Sequence, residues 1–149
     1  MTKGNIHRTA RIDSSAKVDP SAKIGSDVRI GLGAWIGPNA QIGSGVVIGA
    51  RTGIGSDVII ALGAWIGPNA HIGSNSQISS GVVIGSNTRI GSNVRIGQGA
   101  LIEPNVSINS GAVIEAGVKI HERAVIDARV KIHEGAVIEA DAYVPPPDD

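Results

Sequence analysis

The stretch Gly33-Ala34-Trp35-Ile36-Gly37-Pro38-Asn39-Ala40 decides the fold, and it recurs without change at residues 63–70. Working outward from Ile36 and Ile66 in steps of six residues, every position from 6 to 144 is Ile, except for Val18 and Val144. No insertion and no polar residue interrupts this series. A fixed short period of this kind is typical of a repeat architecture.

Each hexapeptide predicts one short strand followed by one tight turn. The residue two positions before each Ile is small or β-branched, so it faces inward together with the Ile, and the residue between them faces outward. Three residues after the Ile comes Gly, Asn or Asp in 17 of 23 hexapeptides, and these residue types best tolerate a positive φ. A strand this short must pair with equivalent strands in the coils above and below, about 4.8 Å away. The sequence therefore predicts a parallel β-solenoid.

Two hexapeptides carry a resemblance to a known family: Ile36-Gly37-Pro38-Asn39-Ala40-Gln41 and Ile66-Gly67-Pro68-Asn69-Ala70-His71. They resemble the tandem repeat of the hexapeptide-repeat left-handed β-helix proteins, and the resemblance covers residues 6–144. It implies an all-β fold, a left-handed parallel β-helix that forms a triangular solenoid of about eight coils with three hexapeptides each. The left hand follows from the resemblance alone. We expect one β-helix domain over residues 1–144 and a Pro/Asp tail over 145–149.

The composition excludes several classes of function. Thirteen Lys and Arg balance thirteen Asp and Glu, so no global field attracts nucleic acid or an anionic membrane. The absence of Cys excludes disulfides, thiolate metal sites and a Cys nucleophile. No apolar stretch approaches the ~18–20 residues of a transmembrane helix, and the polar N-terminus does not resemble a signal peptide. We expect a cytoplasmic protein with neither a nucleic-acid nor a membrane partner.

Three hexapeptides per coil place the outward residues on three faces of the prism. The first face carries Asn5, Lys23, Gln41, Ile59, Gln77, Arg95, Val113 and Lys131. The second face carries Arg11, Arg29, Val47, Trp65, Val83, Leu101, Lys119 and Val137. The third face carries Lys17, Trp35, Gly53, His71, Arg89, Ser107, Val125 and Tyr143.

Four consecutive apolar residues on the second face, which we call the apolar ladder, predict a contact surface: Val47, Trp65, Val83 and Leu101. A contiguous exposed apolar strip is usually an interaction site. The family resemblance implies a homotrimer with parallel prism axes, so we expect a homo-oligomer, with a trimer favoured. The alternative is that outward strand positions simply prefer β-branched and aromatic side chains.

Within the family, the segments Ile6-His7-Arg8-Thr9-Ala10 and Asp19-Pro20-Ser21-Ala22-Lys23-Ile24-Gly25 resemble the β-helix region of acyl-ACP-dependent lipid A acyltransferases. That resemblance implies a general-base histidine between adjacent subunits, which deprotonates a sugar hydroxyl or amine attacking a thioester. The stretch Asn69-Ala70-His71-Ile72-Gly73-Ser74 resembles their Asn-Ala-His-Ile-Ala-His, in which the second histidine is the base. Ser74 stands at that position here, so His71 is the only catalytic candidate, and a surface histidine without a role is the alternative.

Zinc is a second option, because γ-class carbonic anhydrases share the fold and bind zinc through three histidines across a trimer interface. The four candidates are His7, His71, His121 and His133. His121 and His133 each follow an Ile into a turn, but a spacing of twelve residues puts them at different corners. We therefore expect no metal site and no cofactor.

Two hypotheses about function follow from these residues. The first is a non-catalytic structural or scaffold β-solenoid, natural or engineered, which self-associates through the apolar ladder. The alternative is a hexapeptide-repeat acyltransferase that acts at a trimer interface. The enzymes that the chain resembles normally carry loop insertions and a helical C-terminal domain, and we expect neither here. An unbroken prism also offers no obvious concave site, unless subunits create one between them.

Overall fold

A computed structural model describes residues 5–146 of the chain. Within this range the backbone forms 23 strands of two residues each, joined by four-residue turns, and it contains no helix. Each strand consists of one outward residue and the inward Ile or Val that follows it. The first four residues of the predicted domain and positions 147–149 of the predicted tail lie outside the described residues.

Parallel pairing between strands 18 residues apart builds three sheets, one for each predicted face. The first face consists of β3 (Lys23–Ile24), β6 (Gln41–Ile42), β9 (Ile59–Ile60), β12 (Gln77–Ile78), β15 (Arg95–Ile96), β18 (Val113–Ile114) and β21 (Lys131–Ile132). The second face consists of β1 (Arg11–Ile12), β4 (Arg29–Ile30), β7 (Val47–Ile48), β10 (Trp65–Ile66), β13 (Val83–Ile84), β16 (Leu101–Ile102), β19 (Lys119–Ile120) and β22 (Val137–Ile138).

The third face consists of β2 (Lys17–Val18), β5 (Trp35–Ile36), β8 (Gly53–Ile54), β11 (His71–Ile72), β14 (Arg89–Ile90), β17 (Ser107–Ile108), β20 (Val125–Ile126) and β23 (Tyr143–Val144). An additional parallel bridge joins Ile6 to Ile24 on the first face. The predicted solenoid with three hexapeptides per coil is confirmed. Its sheets of eight, eight and seven strands make seven full turns and part of another, slightly fewer than the eight coils expected.

The core is a continuous column of stacked inward side chains. Every inward Ile from Ile24 to Ile132 is at most 5% exposed. Burying such a side chain contributes roughly 1.5–3 kcal/mol before the loss of conformational entropy is subtracted. At the two ends of the solenoid, the inward side chains are only partly buried, because each has a neighbouring coil within residues 5–146 on one side only.

Three inward positions carry a polar residue, and each hydroxyl finds an acceptor in the following coil. Thr52 donates to the carbonyl of Gly67 at 2.9 Å, and Ser76 donates to that of Gly91 at 2.8 Å. Thr88 likewise bonds the carbonyl of Glu103 at 3.2 Å. No buried side-chain polar atom in residues 5–146 lacks a partner, so these substitutions leave the core without an unsatisfied group.

The predicted turn position has a positive φ in 20 successive turns, between residues 27 and 141. The value lies between 58° and 78° whether the residue is Gly, Asn, Asp or Arg. Arg51, Arg123 and Arg129 therefore adopt a conformation that disfavours their side chains. The stacking of coils imposes this conformation, because the N–H of each such residue bonds an oxygen of the preceding coil, as Gly45 does with Ser26 at 2.9 Å.

In the first three turns the residue at the third position does not have a positive φ. These residues are Thr9, Ser15 and Ser21. In the second of these turns, Oδ1 of Asp13 accepts hydrogen bonds from the backbone N–H of Ser15 at 2.9 Å and from its hydroxyl at 2.7 Å. The same hydroxyl oxygen accepts from the N–H of Gly33 at 2.9 Å. In the first coil a side-chain oxygen thus accepts the N–H of the following coil, whereas in the later coils a backbone carbonyl accepts it. The hydrogen bonds from Ser15 also lower the pKa of Asp13.

Hydrogen bonds between charged and polar side chains connect the last coils at the C-terminal end of the solenoid. The guanidinium of Arg123 donates to both carboxylate oxygens of Asp141, at 2.7 and 3.2 Å. The hydroxyl of Tyr143 donates to Oδ2 of Asp127 at 2.6 Å. This bond is the main reason that the pKa of Asp127 is lowered and that of Tyr143 is raised.

The neighbours Ile59 and Ile60 offer a matched test of the core, since Ile59 is 41% exposed and Ile60 is 1% exposed. We expect Ile60→Ala to lower the free energy of unfolding by about 2–5 kcal/mol, because it opens a cavity between three stacked coils. Ile59→Ala should cost less than about 1 kcal/mol. Urea denaturation followed by circular dichroism measures both, and equal losses would contradict the inward and outward assignment.

Tyr143→Phe should raise the pKa of Asp127, because the carboxylate loses its shortest hydrogen bond. A carboxyl group whose pKa is lowered on folding stabilises the protein above its unfolded pKa, and that contribution disappears as the pH falls through the folded value. The variant should therefore lose less stability than the wild type on acidification below about pH 4. NMR titration of the carboxyl carbons gives the pKa directly, and an unchanged value for Asp127 would refute the bond.

Candidate functional site

The apolar ladder is continuous in the structure. Trp65 pairs in register with Val47 on one side and with Val83 on the other, and Val83 pairs with Leu101. The indole of Trp65 is 46% exposed, whereas the three aliphatic neighbours are partly covered. The four predicted residues therefore form one linear apolar surface, about 14 Å long at the strand spacing.

Apolar surface also extends around the edge of the prism beside Trp65. Leu62, in the turn before Trp65, is 62% exposed, and Ile59 lies outward on the first face of the same coil. Ile59, Leu62 and Trp65 are spaced three residues apart. They therefore lie, in that order, on the first face, at the corner between the faces, and on the second face. Ile59 was not predicted as part of this surface, although its spacing of three residues from Leu62 and six from Trp65 is visible in the sequence.

The duplicated stretch does not put the two tryptophans on one face. Residues 33–40 and 63–70 are 30 residues apart, which is one coil and two further hexapeptides. Trp35 therefore lies on the third face and Trp65 on the second, with Leu32 and Leu62 exposed at different corners. The two copies present the same apolar residues in two directions around the solenoid axis.

The structure places His71 on the third face, exposed to solvent and in register with Gly53 and Arg89. Its Nδ1 atom lies 3.0 Å from the position that a Cβ on Gly53 would occupy, so the imidazole leans over the bare backbone of the preceding strand. Trp35 occupies the next strand beyond Gly53. Within the described chain, no carboxylate forms an ion pair with this ring, so nothing orients the imidazole as the partner of a general base would.

Ser74, at the position of the second histidine in the resembling stretch, lies in the turn after His71. Its hydroxyl accepts a hydrogen bond from the hydroxyl of Ser56 at 3.1 Å, one coil earlier. The side chain therefore belongs to a ladder of stacked turn serines. It does not supply an imidazole or a base.

The remaining histidines are dispersed over the corners, as their spacing predicts. His121 lies 3.1 Å from Glu103, and His133 lies 3.6 Å from Glu115. The backbone N–H of Glu134 is the main cause of the lowered pKa of Glu115. Nowhere between residues 5 and 146 do three side chains of His, Cys, Asp or Glu come together as metal ligands.

No helix in the part of the chain that the structure describes could cross a membrane. The concave regions of the surface are open and shallow. One lies on the first face around Arg95 and Val113 and has a volume of about 410 Å³. Another lies at the N-terminal end of the second face.

The repeats match the profile of the bacterial transferase hexapeptide (six repeats) family over residues 63–98 and 93–128. The solved structures that share the fold include a UDP-N-acetylglucosamine acyltransferase from Bacteroides fragilis, at 22% identity and a TM-score of 0.77 over 95% of this chain and 69% of that one. The repeat pattern and this architecture give the chain the fold of the hexapeptide-repeat left-handed β-helix proteins.

Two further structures show the same architecture. The UDP-N-acetylglucosamine acyltransferase from Francisella novicida matches at 23% identity with a TM-score of 0.61, over 89% of this chain and 62% of that one. The acetyltransferase domain of PglB from Neisseria gonorrhoeae, in complex with acetyl coenzyme A, matches at 21% identity with a TM-score of 0.54, over 74% and 53%. The chain thus spans between about half and two thirds of the length of these structures. No curated protein matches it in sequence.

Proposed function

We propose that this β-helix is a non-catalytic scaffold that self-associates through the apolar ladder into a trimer with parallel axes. The observation that carries the proposal is the register of Val47, Trp65, Val83 and Leu101, four outward apolar side chains on adjacent strands. A half-exposed Trp at the centre of such a strip is the residue type that most often dominates the energy of an interface.

The rigidity of the solenoid supports this proposal. Strand pairing holds the four side chains at one spacing on one flat face, so little conformational entropy is lost when a second copy covers them. Leu62 and Ile59 extend the surface around the adjacent edge, where a neighbouring prism would contact it. Charged residues bound the strip, with Arg29 before Val47 and Lys119 after Leu101, as a polar rim bounds an interface core.

The mass in solution tests this proposal. We expect the wild-type chain to have about three times the 15.1 kDa of one subunit in light scattering on a sizing column. Trp65→Ser should dissociate it into monomers at the same concentration, because the centre of the apolar ladder is lost. The matched control is Trp35→Ser, which removes an equally exposed indole from the third face and should leave the mass unchanged.

A wild-type monomer throughout a dilution series would overturn the proposal. If the wild type and Trp65→Ser were oligomers of equal mass, the interface would have to lie on another face. Dissociation by Trp35→Ser alone would assign it to the third face.

A second function rests on the position of His71, and it is acyl transfer at a cleft between subunits. The imidazole is exposed, it leans over Gly53, and a second subunit could approach it without displacing any side chain from the strand before it. The fold is shared with a UDP-N-acetylglucosamine acyltransferase and with an acetyltransferase domain that binds acetyl coenzyme A, and this likeness supports acyl transfer as the second proposed activity.

Acetyl coenzyme A is the first donor to test, with a panel of amino sugars and UDP-amino sugars as acceptors. The chain has no Cys, so release of the free thiol can be followed with a disulfide reagent without background from the protein. On this second function, His71→Ala should abolish thiol release, whereas the exposed His133→Ala should not alter it. Thiol release at the wild-type rate in His71→Ala would remove His71 from the reaction.

A further inference from the structure

Two arginines face each other on adjacent strands at the N-terminal end of the second face. Arg11 on β1 pairs in register with Arg29 on β4, so the two backbones are about 4.8 Å apart. It is the only pair of like charges in direct register among the described strands. Like charges placed directly opposite each other destabilise a sheet. The stability of the fold therefore does not account for this arginine pair.

A third arginine completes a cluster around an open concavity of about 540 Å³. Arg8, from the first turn, lines it together with Arg11 and Arg29, and Thr9 and Asp27 complete its polar wall. Three guanidinium groups against one carboxylate give the wall a net charge of about +2. The concavity lies at the edge between the first and second faces, beside the start of the apolar ladder.

The nearby carboxylates do not neutralise this cluster. In residues 5–146, none of the three guanidinium groups has a carboxylate oxygen within 4 Å, whereas Arg123 at the other end is bound to Asp141 and Glu122. Asp27 lies on the wall and forms no ion pair with any described residue, and its own N–H donates a hydrogen bond to the hydroxyl of Thr9 at 2.9 Å.

Guanidinium groups have planar forks of N–H donors that match the oxygens of a phosphoryl group, and several of them converging on one concavity favour a multiply charged anion. We propose that Arg8, Arg11 and Arg29 form a binding site for the phosphoryl group of a small di- or polyphosphate ligand. The ligand supplies negative charge beyond that of Asp27, the one carboxylate on this wall. The site does not require self-association, because one chain supplies all three arginines, and of these Arg29 also lies beside Val47 at the rim of the apolar ladder.

Inorganic pyrophosphate is the probe, and NMR resonances of the arginine Nε–Hε groups are the readout. We expect pyrophosphate to shift the resonances of Arg8, Arg11 and Arg29 in a saturable way, and to leave that of Arg95 unchanged. Binding should weaken as NaCl is added, since salt screens exposed charges. Acetate, with a single charge, should produce no saturable shift.

The double variant Arg11→Gln with Arg29→Gln should weaken pyrophosphate binding at least tenfold. Arg29→Lys should fall between this variant and the wild type, because it keeps the charge but loses the fork. Arg95→Gln, which removes an exposed arginine on the first face, is the matched control and should bind within twofold of the wild type. These side chains are exposed, so their removal leaves the core intact.

Equal binding by the wild type and the double variant would overturn the proposal, as would equal saturable shifts with acetate. Repeating the titration with Trp65→Ser separates this site from the scaffold function. Pyrophosphate binding that persists in a monomeric Trp65→Ser protein would support the site even where self-association fails. Binding that disappears in that variant would contradict a site made by one chain.

Discussion

The stacking of each inward Ile on the Ile 18 residues away is the interaction on which the rest of this structure depends. A strand of two residues has no stability of its own, so its hydrogen bonds and its buried area come entirely from the coils above and below. Ile66, for example, lies in register between Ile48 and Ile84. A single residue inserted into one hexapeptide would turn an outward side chain into the core of every later coil. This requirement explains why the period of six residues holds along the whole series.

The same stacking dictates the conformation of the turns. Coils only 4.8 Å apart leave no room for a side chain at many of the first turn positions, where Gly is common. A Cβ on Gly97 would lie 2.4 Å from the backbone nitrogen of Ala116. At the third turn position, the need to present an N–H to the preceding coil places even Arg51 at a positive φ of 58°. The strain at such a residue is offset by the bonds and burial that the continuous stack maintains.

A prism built in this way offers linear surfaces in place of enclosed pockets. Each coil contributes one outward residue to each face, so any recognition surface is a ladder of residues spaced 18 apart in sequence. The second face carries, along its length, the arginine pair, the apolar ladder, Lys119 and Val137. Fold similarity to acyltransferases is compatible with this division, because function in such a fold depends on the outward residues, whereas the inward residues specify only the architecture.

The sequence by itself determined the strands, their parallel stacking and the membership of each face, because a side chain in a two-residue strand can point only inward or outward. That rule placed Val47, Trp65, Val83 and Leu101 together, and it placed His71 between Gly53 and Arg89. The left hand of the helix came from resemblance to a family, since the period is the same for either hand. Only the tertiary structure decided how the turns differ, with side-chain oxygens replacing carbonyls in the first coil. Only the tertiary structure showed the lean of His71 over Gly53 and the unpaired arginines around one concavity. Those features depend on rotamers and on distances between coils, which a period of six residues does not encode.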